Sequence, residues 1–401
     1  MIGNVKKLSN KAPIILTWVP RVHGASLPDG TNSNLNYLEI IKNHKLKNKE
    51  ERDIYLVING PGFEENQIDD LKRELKEIEG IHVLDLHQCD WSEIDTGWKI
   101  DGENISIKDF FKNMYNMTDE QRMYFAVEID TFRLIALALL KQFTEHEGGI
   151  YIDFDSLKAI DIHIGKDITI PEGILLGAVL VIPDPNSGRI IGTGLNNDLI
   201  AINDSSVAAN ILSEYKDKIL SQKEMCSDVK QRLPLLMDEL LDKEFAKLRE
   251  KKEIAEEQIE IIEEEIKKTT KEGINGYIND LENRGIVALY DMQPQNFQYL
   301  NSSYLGCSST GFNLGHIHIQ KVVNKGLIGE EVSRWKSFAF GKNNGNYICK
   351  QESDMSWMKV EDLYHKRMDN KQPSDPNKNN SPANLLKDSN TEVVMNQGQE
   401  L

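Results

Sequence analysis

The chain has 401 residues, enough for a deep core with an appendage, and carries a formal net charge of −17 at pH 7. That acidity excludes charge-driven nucleic-acid binding over the whole surface, because phosphates would be repelled. No apolar run of membrane-spanning length occurs, residues 1–11 lack the apolar stretch of a cleavable secretory signal, and the 4 cysteines show no metal or redox spacing, so reduced thiols are expected. Residues 13–18 (PIILTW) read as a buried strand. A helix over 35–46 follows, then a strand over 53–59 stopped by Gly60-Pro61-Gly62. A charged amphipathic helix over 64–79 leads into a third strand over 81–86. This short-range alternation predicts βαβ units and a largely parallel sheet.

Residues 125–143 are apolar nearly all round, which predicts a buried helix. Asp130 and Arg133 interrupt it at i, i+3 and therefore share a face. Two charges in such a helix need either each other or a ligand. A strand over 149–153 is next, with later strand-like runs at 174–182, 189–191 and 198–203. Residues 221–283 change character: they are dense in Lys and Glu, with Met237, Leu241, Phe245, Leu248, Ala255, Ile259, Ile262 and Ile266 at helical spacing. This predicts a long helical insertion, as a coiled coil or hairpin, which is either a solvated appendage or an arm that docks a partner or a membrane. Strand and loop signals return over 284–348. The composition of 366–401 predicts disorder. The expected division is a core at 12–220, the insertion at 221–283, the rest of the core at 284–348 and a tail at 349–401.

The chemistry centres on Gly148-Gly149-Ile150-Tyr151-Ile152-Asp153-Phe154-Asp155. A buried strand runs straight into two carboxylates, at the edge where open α/β sheets bind ligands. Hard oxygen donors of this kind suit Mg²⁺ or Mn²⁺, which take one or two carboxylates and fill the remaining positions with phosphate oxygens. A cation bridging a diphosphate withdraws charge from it as a leaving group. His316 and His318 share one side of a strand-like run but have no evident third ligand, and Ser308–Gly311 matches neither a phosphate loop nor a nucleophile elbow.

Asp130-Thr131-Phe132-Arg133 followed by residues 148–155 resembles the D-x-x-R … GGIYLDxD pattern of DXD-type sugar transferases, a group that includes the clostridial large glucosylating toxins and the NleB/SseK arginine-modifying effectors. The resemblance implies a GT-A fold, an α/β architecture with a mostly parallel central sheet, and retention of anomeric configuration. It implies that Trp18 stacks on uracil, that Tyr151, Asp153 and Trp335 belong to the donor site, and that Asp130, Arg133 and Asn196 hold the sugar. Glu330-Glu331-Val332-Ser333-Arg334-Trp335 resembles the toxins' E-x-x-S-x-W lid, which implies Asp153, Asp155, Glu330 and Ser333 as metal ligands.

Asn196 and the lid favour the glucosylating toxins, and so UDP-glucose over UDP-N-acetylglucosamine. Ile170-Pro171-Glu172-Gly173-Ile174 resembles a segment of the arginine-modifying effectors, which keeps a UDP-N-acetylglucosamine transferase as the alternative. The span between Arg133 and Asp153 is longer than in the toxins, with 142–147 as the excess. The implied acceptor is a host protein side chain, and the implied enzyme is a bacterial effector acting in host cytosol, exported without a cleavable signal. A partner-binding protein with a degenerate transferase domain is the competing class.

Overall fold

In a computed structural model of the chain, the described residues are 6–25, 27, 36–47, 49–123, 125–162, 168–170, 173–176, 179–183, 190–195, 199–213, 216–217, 219–251, 255–284 and 347–349. They all belong to one compact unit, Met1–Glu352. In chain order, the first half contains β1 (Lys6–Leu8), β2 (Ile14–Trp18), α1 (Tyr37–Lys47), β3 (Ile54–Ile58), α2 (Glu65–Leu75), β4 (Ile81–Asp85), β5 (Trp98–Ile100), β6 (Glu103–Ile105), α3 (Ile107–Asn113) and α4 (Phe125–Ala138). It continues with β7 (Gly149–Ile152), α5 (Phe154–Ala159), β8 (Ile160–Ile162), β9 (Ile168–Ile170), β10 (Ile174–Leu176), β11 (Val179–Pro183), β12 (Ile190–Leu195) and β13 (Leu199–Ile202). The last elements are α6 (Ser205–Ser213), α7 (Gln222–Lys251), α8 (Glu256–Arg284) and β14 (Tyr347–Cys349).

Six strands form the central sheet in the order β10-β13-β7-β2-β3-β4. The pairs β2–β3, β3–β4 and β2–β7 are parallel, whereas β13 runs antiparallel to both β7 and β10. The sheet is therefore mostly parallel, with one reversed strand. Its side chains alternate between two hydrophobic cores, as a two-residue period requires. Ile14, Leu16, Ile54, Leu56, Ile58, Ile150, Ile152, Leu199 and Ala201 join one core, which α1, α2 and α5 cover through Tyr37, Ile41, Leu71, Leu75, Phe154 and Leu157. Ile15, Val57, Tyr151, Ile200 and Ile202 join the other, covered by α4 and α6 through Phe132, Leu134, Ile135, Ala208 and Ile211. Because both faces are buried, the strands read as continuous apolar runs with little visible alternation.

Two of the expected elements are divided in the structure. The helix expected over 125–143 ends at Ala138, and a 3₁₀ turn at Leu140–Gln142 follows. There the Gln142 amide both accepts from the Asp90 N–H (2.7 Å) and donates to the Asp90 carbonyl (2.6 Å), which draws the chain into the tighter turn. The strand expected over 174–182 is two strands: β10 stays in the central sheet, while β11 pairs with β12 in a separate two-stranded sheet. The helical region is a pair of helices, α7 and α8, packed on each other. Lys230–Glu282 (3.3 Å) and Lys267–Asp242 (2.7 Å) link them in antiparallel order, with Arg249 pairing to Glu263 at the other end. No described helix is long and apolar enough to cross a membrane.

At the end of the sheet opposite its carboxyl edge, Glu50 is buried between His44 (3.2 Å) and the Arg52 backbone N–H (2.9 Å). Burial pushes its pKa up, but the His44 and Arg52 interactions outweigh this and hold it below the ordinary 4.5. A depressed folded-state value means that the stability Glu50 contributes is present above pH 4.5 and is lost as pH falls through the folded value. Urea midpoints measured on the acid side of that point should therefore fall more steeply with acidification in the wild type than in Glu50→Gln.

Candidate functional site

The parallel strands β4, β3, β2 and β7 place their carboxyl ends, Asp85, Ile58, Trp18 and Ile152, along one edge of the sheet. The chain runs from β2 outward to β3 and β4, then crosses back to place β7 on the other side of β2. That reversal makes the crevice between the ends of β2 and β7 the topological switch point, where open α/β sheets bind ligands. Trp18 ends β2 and Asp153 follows β7, so both stand at this crevice.

Gly148 makes the approach of β7 to β13 possible. A side chain there would overlap the Ile202 carbonyl oxygen and the Asn203 backbone, neither of which can swing aside. Gly148→Ala is expected to lower stability by about 1–3 kcal/mol through this overpacking, read as a shift in urea midpoint.

The charged groups converge on the α4-facing side of β7. Arg133 and Asp130, one turn apart on α4, pair at 3.0 Å, and the same Arg133 Nη2 lies 3.5 Å from Asp153 Oδ1. The Arg133 guanidinium sits 4.7 Å from the centroid of the Tyr151 ring, and the Tyr151 hydroxyl donates to Asp153 Oδ1. Arg133 is 7% exposed, Asp130 14% and Asp153 32%, so exposure rises towards the crevice. Burial, with the Asp153 charge beside it, holds the Tyr151 hydroxyl well above its usual pKa, against the opposing pull of Arg133. Tyr151 is thus a fixed hydrogen-bond donor rather than a base.

On the other side of β2, Trp18 meets Tyr37 (centroids 5.4 Å, 82°) and Phe154 (6.2 Å, 81°) edge to face, while Tyr37 and Phe154 stack at 4.3 Å. The half-buried Trp18 carries a buried indole N–H with no hydrogen-bond partner among the described residues.

The structure therefore brings together Asp130, Arg133, Tyr151 and Asp153, while Trp18 ends the neighbouring strand on the opposite face, against Tyr37 and Phe154. Asp155 falls in the first turn of α5, and its side chain lies outside the description. Asn196, Glu330, Ser333 and Trp335 lie outside the described residues. Among the described residues, no group of three His, Cys, Asp or Glu side chains is placed to hold a metal ion. Asp153 is nonetheless a hard oxygen donor at the crevice, which fits a divalent cation that takes one or two carboxylates and completes its shell with phosphate. Any cation there meets the Arg133 charge already beside Asp153.

Sequence reasoning passed over a second polar group at the same edge. Asn59 donates to the Phe111 carbonyl (3.0 Å) and the Tyr115 hydroxyl (2.9 Å) and meets His87 Nε2 at 2.8 Å. Asp85 accepts from the Gly60 and His87 backbone N–H groups at 3.1 and 3.0 Å. Gly62 lies where a side chain would run into the Tyr115 hydroxyl, so Gly60-Pro61-Gly62 is a close-packing element as well as a strand stop. Burial lowers the His87 pKa and keeps the ring neutral. The Asn-Gly-Pro-Gly sequence was the available signal.

No family model and no curated protein sequence matches the chain. It is similar to the solved structure of the PaToxG glycosyltransferase, at 13% identity and TM-score 0.35 over 57% of this chain and 64% of that one. It thus spans less than two thirds of that protein. It is also similar to the bacterial N-acetylglucosamine transferase NleB, at 18% identity and TM-score 0.33 over 53% of this chain and 83% of that one. A third structure, described only as a transferase, shows 16% identity and TM-score 0.31 over 52% and 80%.

Proposed function

We propose that the chain is a glycosyltransferase of GT-A type that binds a UDP-sugar, UDP-glucose ahead of UDP-N-acetylglucosamine, in the crevice between β2 and β7. One observation carries the reading: the Asp130–Arg133 pair, the Tyr151 hydroxyl and Asp153 meet at the topological switch point of a mostly parallel sheet, one strand away from Trp18. The Trp18–Tyr37–Phe154 group offers a planar base an apolar, aromatic setting at the same edge. Asp130 and Arg133 provide a carboxylate and a guanidinium for sugar hydroxyls and diphosphate oxygens.

In this proposal Asp153 and Asp155 hold Mn²⁺ or Mg²⁺ with Glu330 and Ser333, and Asn196 and Trp335 complete the donor site. Their support is the sequence resemblance. When bound, such a cation neutralises charge on a departing diphosphate. The acceptor nucleophile forms the new bond to the anomeric carbon as the bond to the diphosphate oxygen breaks. The electron pair leaves with UDP, and the acceptor proton passes to the phosphate or to water. The Tyr151 hydroxyl keeps Asp153 aimed at the crevice, and Arg133 supplies a fixed positive charge beside the leaving group. The acceptor in this reading is a host protein side chain and the chain is an exported effector, again on the strength of the resemblance.

The test is UDP release from UDP-glucose and from UDP-N-acetylglucosamine with Mn²⁺, alongside isothermal titration of UDP. Turnover or binding of either donor that is lost in Asp153→Asn supports the reading. Absence of UDP binding by the wild type defeats it. Intact-protein mass spectrometry of host lysate incubated with the enzyme then separates a hexose from an N-acetylhexosamine increment on the acceptor.

A further inference from the structure

We propose that the outer edge of β4, which no described strand covers, docks an extended, acidic segment of a partner protein as an added strand, held under the last turn of α2. Within the six-stranded sheet β4 is terminal: it pairs with β3, and no described strand lies on its other side. Its 5 residues, Ile81-His82-Val83-Leu84-Asp85, stay in unbroken register with β3. The strand thus carries neither the proline, the lysine nor the bulge by which proteins blunt exposed edges. Val83 and Leu84 are half-buried and His82 is exposed.

A cleft of about 480 Å³ opens along this edge, lined by Lys72, Arg73, Leu75 and Lys76 from α2 and its end and by Ile81, His82 and Val83 from β4. The cleft is basic in a chain whose net charge is −17. Arg73 is partnered by Asp70 on its own helix, and His82 lies 3.4 Å from Asp53. Lys72 and Lys76 stand one turn apart on the exposed side and form no ion pair among the described residues. Basic residues in a last turn complement the helix dipole, which accounts for their presence in α2 but not for their lying over an unblunted strand.

A strand added beside β4 places alternate side chains towards α2. Acidic residues at those alternate positions meet Lys72 and Lys76, while the backbone pairs with the outer edge of β4 and supplies affinity independent of side chains. Charge complementarity with Lys72 and Lys76 selects an acidic occupant over a neutral or basic one. The edge is separated from β7 by β3 and β2, so a docked segment leaves the Asp153 crevice open. The inference is independent of the transferase reading.

The experiment uses the full chain and a fluorescein-labelled extended peptide alternating Glu with Val and Thr, titrated by anisotropy. Beside it run the same peptide N-methylated at alternate residues and a Lys-for-Glu version. Hydrogen exchange of the complex reads protection at 81–85. Binding of the Glu peptide, new protection of the β4 amides, and weakening by about tenfold or more in Lys72→Glu/Lys76→Glu and on N-methylation are expected. The two lysines are exposed, so the variant folds, which far-UV circular dichroism checks. Equal binding of the N-methylated peptide, protection elsewhere than β4, or no binding of the Glu peptide overturns the proposal.

Discussion

Glu128→Ala is expected to destabilise the protein by about 3–5 kcal/mol, because it strands a buried guanidinium. Arg122 forks onto Glu128, with Nε to Oε1 at 3.0 Å and Nη2 to Oε2 at 2.6 Å, and Glu128 is fully buried. Burial works against charge on both partners, and it is the pairing that keeps Arg122 charged and raises its pKa. The remaining Arg122 nitrogen, Nη1, donates to the Arg21 carbonyl at 2.7 Å, which ties the loop after Trp18 to the first turn of α4. Arg21 in turn lies 5.0 Å over the Phe125 ring. Two consequences should therefore separate: a fall in urea midpoint, and faster hydrogen exchange at residues 19–25 even where the rest of the sheet stays protected. An isosteric Glu128→Gln keeps the shape and one acceptor, so it should fall between the alanine variant and the wild type. If Glu128→Ala shifts the midpoint no more than an exposed substitution does, the pair is not the anchor of this loop.

Strands β2, β3, β4 and β7 were legible because a sheet buried on both faces leaves continuous apolar runs between turn residues. Asp130 and Arg133 were legible because charge is conspicuous in an apolar helix, and they do pair. Glu128 gave the same signal two residues earlier and went unread, since its partner Arg122 lies before the helix and no helical spacing connects them. The Asn59–His87–Tyr115 contacts join three separate elements and rest on tertiary packing, which no local period encodes. The basic cleft at β4 was hidden for another reason. Lys72, Arg73 and Lys76 look like any solvated helix face until the strand beneath them proves to be the sheet's edge. Of the donor-site residues implied by resemblance, the four brought together come from α4 and from the end of β7, elements that pack directly on one another.

In the proposed transferase, Arg133→Met should cut transfer about 10³-fold while strengthening the binding of Mn²⁺ in the absence of nucleotide. In the wild type Asp153 Oδ1 already accepts from Tyr151 and faces the Arg133 guanidinium at 3.5 Å, so an entering cation competes with a charge built into the fold. Removing that charge leaves Asp130 and Asp153 with one cation fewer between them, and both then favour a metal. Donor turnover should nevertheless fall by about 10³-fold, equivalent to roughly 4 kcal/mol of transition-state stabilisation, because the fixed positive charge beside the diphosphate is gone. Lysine is a poor substitute: a point charge on a flexible stem does not reproduce a planar group that meets Asp130 and Asp153 while packed on the Tyr151 ring. Asp153→Asn is expected to match the loss of turnover but to weaken Mn²⁺ binding, in the opposite direction. Electron paramagnetic resonance of free Mn²⁺ reads the affinity, and UDP release reads the chemistry. Opposite changes in metal affinity with equal losses of turnover assign Arg133 and Asp153 to one electrostatic unit; a metal affinity that Arg133→Met leaves unchanged separates them.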